Sequence, residues 1–300
     1  MNVNLGLSTV LRFIWNHPFN KGHRTLAISR FVKWQIHSRV FGWKIVYPLT
    51  SSTVIVMKRG MAGATGNIYC GLLEFEDMCF LLHALTPEDL FVDVGANVGV
   101  YSILSSGEIG ARTISIEPVK RTFESLKTNV KLNDIESRVT LRNIGIGDKE
   151  GLLTFTSNED AVNHVLSGDE DGKDGKLERV PVDTLDNVCA GETPFLLKID
   201  VEGFETNVIK GASRILGNPG LKCIIIELNG DSKRYGFDES LIHQTLLKLG
   251  FGCYSYEPYS RVLTPLDTYG SHNTIYIRDL KTVESRIEKA RKIGIINKSI

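Results

Sequence analysis

The sequence predicts an α/β fold: a doubly wound, Rossmann-like and mostly parallel sheet of seven strands with an antiparallel edge strand, preceded by an N-terminal extension of helix and short strands. Three observations predict it. Residues 91–102, FVDVGANVGVYS, pass from an apolar strand through a glycine bend into the apolar start of a helix. A second apolar run, TISIEP at 113–118, places the acid Glu117 eighteen residues after Gly99. Two further apolar runs, at 195–199 and 223–226, close on Asp200 and Glu227 with helical spacing between them. Strands alternating with helices in this way make a parallel sheet, and its ligands lie beyond the carboxyl ends of the strands.

The chain divides into a basic N-terminal extension at 1–88, the α/β domain at 89–280 and a C-terminal amphipathic helix at 281–300. Its 42% hydrophobic and 23% charged residues are ordinary for a globular protein with a core. Net charge is zero but unevenly laid out: residues 1–73 hold nine Lys or Arg and no acid, so the rest carries 26 basic against 35 acidic residues. That asymmetry suits an anionic partner, an acidic membrane surface, or two halves docked on one another. Within the extension, residues 25–41 have the spacing of an amphipathic helix, with Ile28, Val32 and Ile36 on one side and Arg30, Lys33 and His37 on another. Packing of that stripe on its own domain is the first expectation, and peripheral membrane contact the second. Short strands at 44–47 and 53–57, a Gly-rich segment at 60–71 and a helix at 75–85 follow.

After Glu117, a helix at 120–132 carries Phe123, Leu126 and Val130 on one face, and a third strand starts at 139–141. A strand at 152–156 is expected to pair with one at 179–182 across an acidic, Gly-rich loop, 157–175, that holds Asn163 and His164. His164 is a candidate general base, because an unperturbed imidazole titrates near neutrality. LLKIDVEGFE at 196–205 ends a buried strand and opens a helix expected to reach Gly217. A helix at 238–249, closing strands at 251–257 and 273–278, and a tail helix at 283–296 with a Glu288–Lys292 pair complete the order.

The glycine bend indicates its own ligand. A nicotinamide or flavin fingerprint, G-x-G-x-x-G, needs a bare middle glycine against the pyrophosphate, whereas Asn97 stands between Gly95 and Gly99 here. Asp93 adds a negative charge that repels phosphate and attracts an ammonium or sulfonium. Asp93, Gly95, Ala96, Asn97, Gly99 and Tyr101 are therefore expected to receive a cationic amino-acid tail, with the Tyr101 or Phe204 ring facing the cation. Glu117 is placed to accept from both ribose hydroxyls, and Asn143 to reach the adenine edge. A nucleoside with an amino-acid tail has the form of S-adenosyl-L-methionine.

Taken in order, FVDVGANVGVYS, IEP, NIGIGDKEG, LLKIDVEGFE and IIIEL resemble the FkbM-type family of S-adenosylmethionine-dependent methyltransferases, and the resemblance covers most of residues 91–278. It implies O-methylation of a small-molecule or glycan acceptor: a hydroxyl on a sugar, lipid-linked glycan or polyketide-like metabolite. It also places Asp200 in the active site, either holding the donor's ammonium or orienting and deprotonating the acceptor. The structural alternative is that Asp200 and Glu202 cap the next helix. Lys198, in an apolar strand, needs a carboxylate such as Asp200 beside it. Asp200, Lys198 and His164 are thus the candidate catalytic residues. Asp200, Glu227 and Asn229 are hard oxygen donors, but Leu228 separates the last two where catechol O-methyltransferase-like enzymes have adjacent ligands, and no metal is expected.

Two other classes stay open, a nucleoside-binding module without turnover and a nicotinamide-dependent oxidoreductase. Nucleic acid is not an expected partner, since the site side of the α/β domain is acidic and lacks a basic stacking surface. Five scattered cysteines without C-x-x-C spacing give neither a disulfide framework nor a zinc site, and a reducing cytoplasm is the expected location. No uncharged apolar run reaches the length of a membrane span. The sequence carries no signal of oligomeric state.

Overall fold

The computed structural model describes residues 6–157, 163–166 and 177–300, and an α/β fold is what it shows: one eight-stranded mixed sheet between helical layers. From one edge to the other the strands are Val262–Pro265, Gly252–Glu257, Asn273–Ile277, Cys223–Glu227, Leu196–Ile199, Leu90–Val94, Arg112–Ile116 and Val139–Arg142. The last five are mutually parallel. The first three pair antiparallel with their neighbours. The eighth strand, Val262–Pro265, is an addition to the seven expected. It is short, mostly exposed and ends on a proline, which an edge position tolerates because no partner needs the missing N–H.

Leu90–Val94 and Leu196–Ile199 are buried at every position, as parallel strands covered on both faces must be. Phe91, Ile225 and Ile275 face a core that also holds Phe19, Trp34, Met57 and Phe80 from the N-terminal part and Ile287 from the C-terminal helix. Val92, Val94, Leu197, Ile199 and Ile226 face the other core with Val208, Ile215, Ile242 and Leu246. Chain order reverses between Leu90–Val94 and Leu196–Ile199, which makes the crevice at their carboxyl ends the topological switch point. The expected pair of strands flanking the acidic loop forms, with Leu152 opposite Pro181 and Thr154 opposite Arg179. Within that loop, residues 158–162 and 167–175 lie outside the described residues.

Three helical expectations are corrected. The Gly-rich segment contains a helix, Ala62–Cys70, in which Gly66 lets the Leu73 side chain lie against the backbone. The helix expected to reach Gly217 is two, Glu205–Lys210 and Ser213–Gly217. The carboxylate of Asp186 accepts from the Arg214 and Ile215 amides at 2.8 and 3.0 Å, and this restarts the second helix. The tail helix is Leu280–Lys289 and stops short of Lys292, so the expected Glu288–Lys292 pair does not form within it. Arg261 Nη1 donates to the carbonyls of Ile287, Glu288 and Ala290 at 3.0, 3.3 and 2.6 Å, taking up the terminal acceptors. The chain then turns back through a small hairpin, Gly294–Ile295 with Lys298–Ser299.

The basic helix near the N-terminus forms as Arg24–Val40, but it buries a different stripe from the one the periodicity suggests. Ala27, Phe31, Trp34 and Ser38 face inward, while Val32 and Ile36 are exposed. No helix among the described residues is long and apolar enough to cross a membrane.

The break at Gly211 gives a direct test of packing. A Cβ there would stand 2.0 Å from the carbonyl oxygen of Gly147, a backbone atom that cannot swing away. Gly211→Ala is expected to destabilise the protein by about 3 kcal/mol or more, the range of mutations that force buried strain. Urea denaturation would measure it, and a loss below about 1 kcal/mol would show that the two segments yield easily.

Candidate active site

The crevice is built by two loops that touch. Gly95 turns the chain at φ +84°, and a Cβ at this position would lie 1.8 Å from the Asp200 carbonyl oxygen, so any other residue would drive the strand ends apart. The amides of Gly95 and Ala96 both donate to the Ile116 carbonyl, at 3.0 and 2.9 Å. Asn97 adopts φ +50°, a conformation asparagine tolerates, and its own Oδ1 accepts from the Val98 amide at 2.8 Å. Gly99, at φ +94°, lets the bend sit on Leu126, whose Cδ1 would be 2.5 Å from an added Cβ.

A cavity opens between these loops. Gly95, Asn97, Glu117, Asp200 and Glu202 line it, together with the apolar side chains of Ile144, Phe155, Val165 and Phe204. Four of the residues singled out in the sequence are thus brought together at one wall: Gly95, Asn97, Glu117 and Asp200. Glu117 is buried, accepting from the Asn97 amide through Oε2 and the Val119 amide through Oε1, each at 3.0 Å. Its carboxylate thereby fixes both the bend and the chain beyond its own strand.

Other expected residues stand behind the wall. Asn143 does not line the cavity; its Nδ2 donates to the carbonyls of Glu117 and Pro118 at 2.8 and 2.9 Å, so it props the Glu117 turn while Ile144 next to it reaches the cavity. Tyr101 is buried, its hydroxyl donating to Glu74 at 2.6 Å and its ring lying 4.6 Å from the Lys198 ammonium, so the cation it meets is the protein's own. Ala96 is buried against Leu126 and Val130. His164 is buried beside Thr156, exchanging backbone contacts with it, while its neighbours Asn163 and Val165 line the cavity.

The charges are arranged across the switch point. Asp93 and Lys198 are register partners on adjacent parallel strands, with Ser115 on the far side of Asp93. Ser102 donates to Asp93 Oδ2 at 2.7 Å, while Asp93 Oδ1 is buried with no hydrogen-bond partner among the described residues. Burial pushes the Asp93 carboxyl up to about 6, against the opposing pull of Lys198. Lys198 is 3% exposed and donates to Asp200 at 2.6 Å. Burial works against its charge, but Asp200, Glu74 and Asp93 outweigh it and raise its pKa above the ordinary value. Lys198 is therefore a fixed cation, as its apolar strand required.

Neither Asp200 nor Glu202 caps the following helix, which opens after Phe204 with no side-chain cap. Glu205 Oε1 accepts from the Val201 and Gly203 amides at 3.2 and 3.1 Å and holds the loop. Asp200 and Glu202 are left half-buried at the cavity, and Glu202 sits at φ +54°, a conformation a glutamate adopts only where its surroundings impose it. Glu227 completes the group: Asp200, Glu202 and Glu227 bring one carboxylate oxygen each within 4.8 Å of one another. Burial, and then the Asp200 charge, push Glu202 up to about 8 and Glu227 up to about 9. Asn229, grouped with them in the sequence, is turned away and closes a small turn on Asp231 instead. Sequence reasoning left Glu202 and Glu227 out of the catalytic set, although each stands at or just beyond a strand end.

A family model described as the methyltransferase FkbM domain matches residues 93–253. Methyltransferase 1 of Beauveria bassiana is 28% identical over 160 residues, covering 46% of this chain and 64% of that protein. Hexuronic acid methyltransferase AglP of Haloferax volcanii is 27% identical over 155 residues, covering 51% and 62%. 31-O-demethyl-FK506 methyltransferase FkbM of Streptomyces tacrolimicus is 31% identical over 97 residues, covering 31% and 36%. The chain thus spans less than two thirds of the length of each of these relatives.

The raised carboxyls carry a pH signature. Glu117 is pushed by burial up to about 8 despite its two backbone donors, and Glu202 and Glu227 stand at about 8 and 9, against 4.5 for an ordinary glutamate. Each contributes stability that is whole below the unfolded value and is lost as pH rises through the folded one. The melting temperature is expected to fall between pH 5 and 9, and Glu227→Gln to flatten that fall. A melting temperature that rises across this window would contradict the burial of these groups.

Proposed function

The chain belongs to the methyltransferase FkbM domain family, and on that premise we propose that it is an S-adenosylmethionine-dependent O-methyltransferase acting by in-line displacement. The proposed acceptor is a hydroxyl on a sugar, glycan, lipid-linked glycan or polyketide-like metabolite. The names of two relatives support that class, one a hexuronic acid methyltransferase and the other a methyltransferase of 31-O-demethyl-FK506. The observation that carries the reading is the meeting of Gly95, Glu117 and Asp200 in one crevice at the switch point.

The residues present fit the cofactor. Asn97 fills the position a pyrophosphate would need bare, and the carboxylates of Glu117, Asp200 and Glu202 favour a ligand that carries positive charge. Glu117 would hold the ribose, since each oxygen that accepts one backbone N–H keeps a further lone pair. Ile144 and Phe155 offer apolar surface to a base, and Asp200 offers a carboxylate to the ammonium end. Bound S-adenosylmethionine supplies an electrophilic methyl on a sulfonium.

The chain's own tasks are then to align the acceptor and take its proton. Lys198, held protonated, is a positioning residue that fixes Asp200. Glu202 and Glu227, whose carboxyls hold protons more firmly than ordinary acids, are the proposed proton acceptors beside the sequence candidates His164 and Asp200. Activity should therefore rise with pH through the range in which they ionise.

Glu117→Ala should weaken S-adenosylmethionine binding by about 1–3 kcal/mol, the cost of leaving buried hydroxyl donors without their acceptor. Titration calorimetry would measure it, and unchanged affinity in a folded variant would remove Glu117 from the site. Incubation with methyl-labelled donor and defined sugars or fractionated extract should label an acceptor. Donor binding with no transfer to any acceptor would favour a binding module instead, and a thermal shift with NAD alone would favour an oxidoreductase.

A further inference from the structure

The helix Arg24–Val40 is apolar on two opposite sides. Its inner face, Ala27, Phe31 and Trp34, is buried against the body of the protein. On the outer face Val32, Ile36 and Val40 follow at intervals of four residues and are 46%, 56% and 67% exposed. A surface helix ordinarily turns one apolar stripe inward and polar residues outward, so this second, outer stripe lacks a cover among the described residues. The stripe continues beyond the helix: Phe41 and Trp43 are 53% and 70% exposed, and their ring centroids lie 5.8 Å apart.

The charge carried by this patch's own stretch of chain is of one sign. Lys33, Arg39 and Lys44 are exposed beside it, and the chain contains no acid before Glu74. From this conjunction we infer that the outer face of Arg24–Val40, with Phe41 and Trp43, docks on an anionic lipid bilayer. The aliphatic stripe and two aromatic rings enter the boundary between headgroups and acyl chains, while the three cations stay at the level of the lipid phosphates. A second copy of the chain fits less well, because a two-fold contact would set Lys33, Arg39 and Lys44 against their own equivalents with no acid between them. The inference does not depend on methyl transfer and stands or falls apart from it.

Co-sedimentation of the full chain with phosphatidylcholine vesicles, with and without phosphatidylserine, tests it. The chain should pellet with the phosphatidylserine vesicles at low salt, weakly with phosphatidylcholine alone, and progressively less as salt rises. Ile36→Asp combined with Trp43→Asp should reduce pelleting roughly tenfold or more, because charges replace the inserting groups. Both sites are exposed, so the thermal transition should be unchanged; if the pair fails to fold, Lys33→Glu with Lys44→Glu gives the same readout through charge. Failure to pellet with anionic vesicles, equal pelleting with both vesicle types, or pelleting unaffected by either pair of substitutions would overturn the proposal. So would a concentration-dependent dimer abolished by the same substitutions, which would assign the face to a second copy.

Discussion

The crevice depends on a close approach of two backbones. Where Gly95 turns, there is no room for a side chain between its Cα and the Asp200 carbonyl. That contact brings the loop after Leu90–Val94 against the loop after Leu196–Ile199, at the point where the strand order reverses. The connections leaving the two strands part to opposite faces of the sheet at such a point, and a bulkier residue would widen the gap between them. Glycine instead lets one loop close on the other, so Asp200 and Glu117, the latter from the end of a third strand, Arg112–Ile116, line the same cavity.

Electrostatics follows from that geometry. Packing the loops together buries Asp93 and Lys198 as register neighbours and leaves Asp200 at the cavity's edge, tied to the Lys198 ammonium. One buried cation among several carboxylates cannot neutralise them all. Burial first, and then this surplus of negative charge, lets Glu202, Glu227 and Glu117 hold their protons well above the ordinary range. A cationic ligand would relieve the same surplus. That makes the acid-rich crevice a site suited to a sulfonium and an ammonium rather than to phosphates, in keeping with the family to which the chain belongs.

Much of this was legible in the sequence because the chemistry restricts residue type. Only glycine serves at the bend, and an acid about 20 residues beyond it, at the next strand tip, has few other uses. What was not legible depends on partners far along the chain. Tyr101 spends its hydroxyl on Glu74, Asn143 turns its amide back onto the chain at Glu117 and Pro118, and His164 is buried beside Thr156. None of those contacts leaves a spacing in the sequence. Periodicity also failed to choose between two apolar stripes on Arg24–Val40: Ile28, Val32 and Ile36 repeat as well as Ala27, Phe31 and Trp34, and only the packed structure reveals which side is inward. The eighth strand escaped notice because Val262–Pro265 is short and exposed, without the apolar run that marks its neighbours.

The central claim is that a nucleoside with a charged amino-acid tail lies between the Gly95 bend and Glu117. A crystal structure of the protein grown with S-adenosylhomocysteine tests it most directly. The claim predicts density in that crevice, with the ribose hydroxyls on the Glu117 carboxylate. Density for the compound at another place, with the crevice between Gly95 and Glu117 empty, would contradict it.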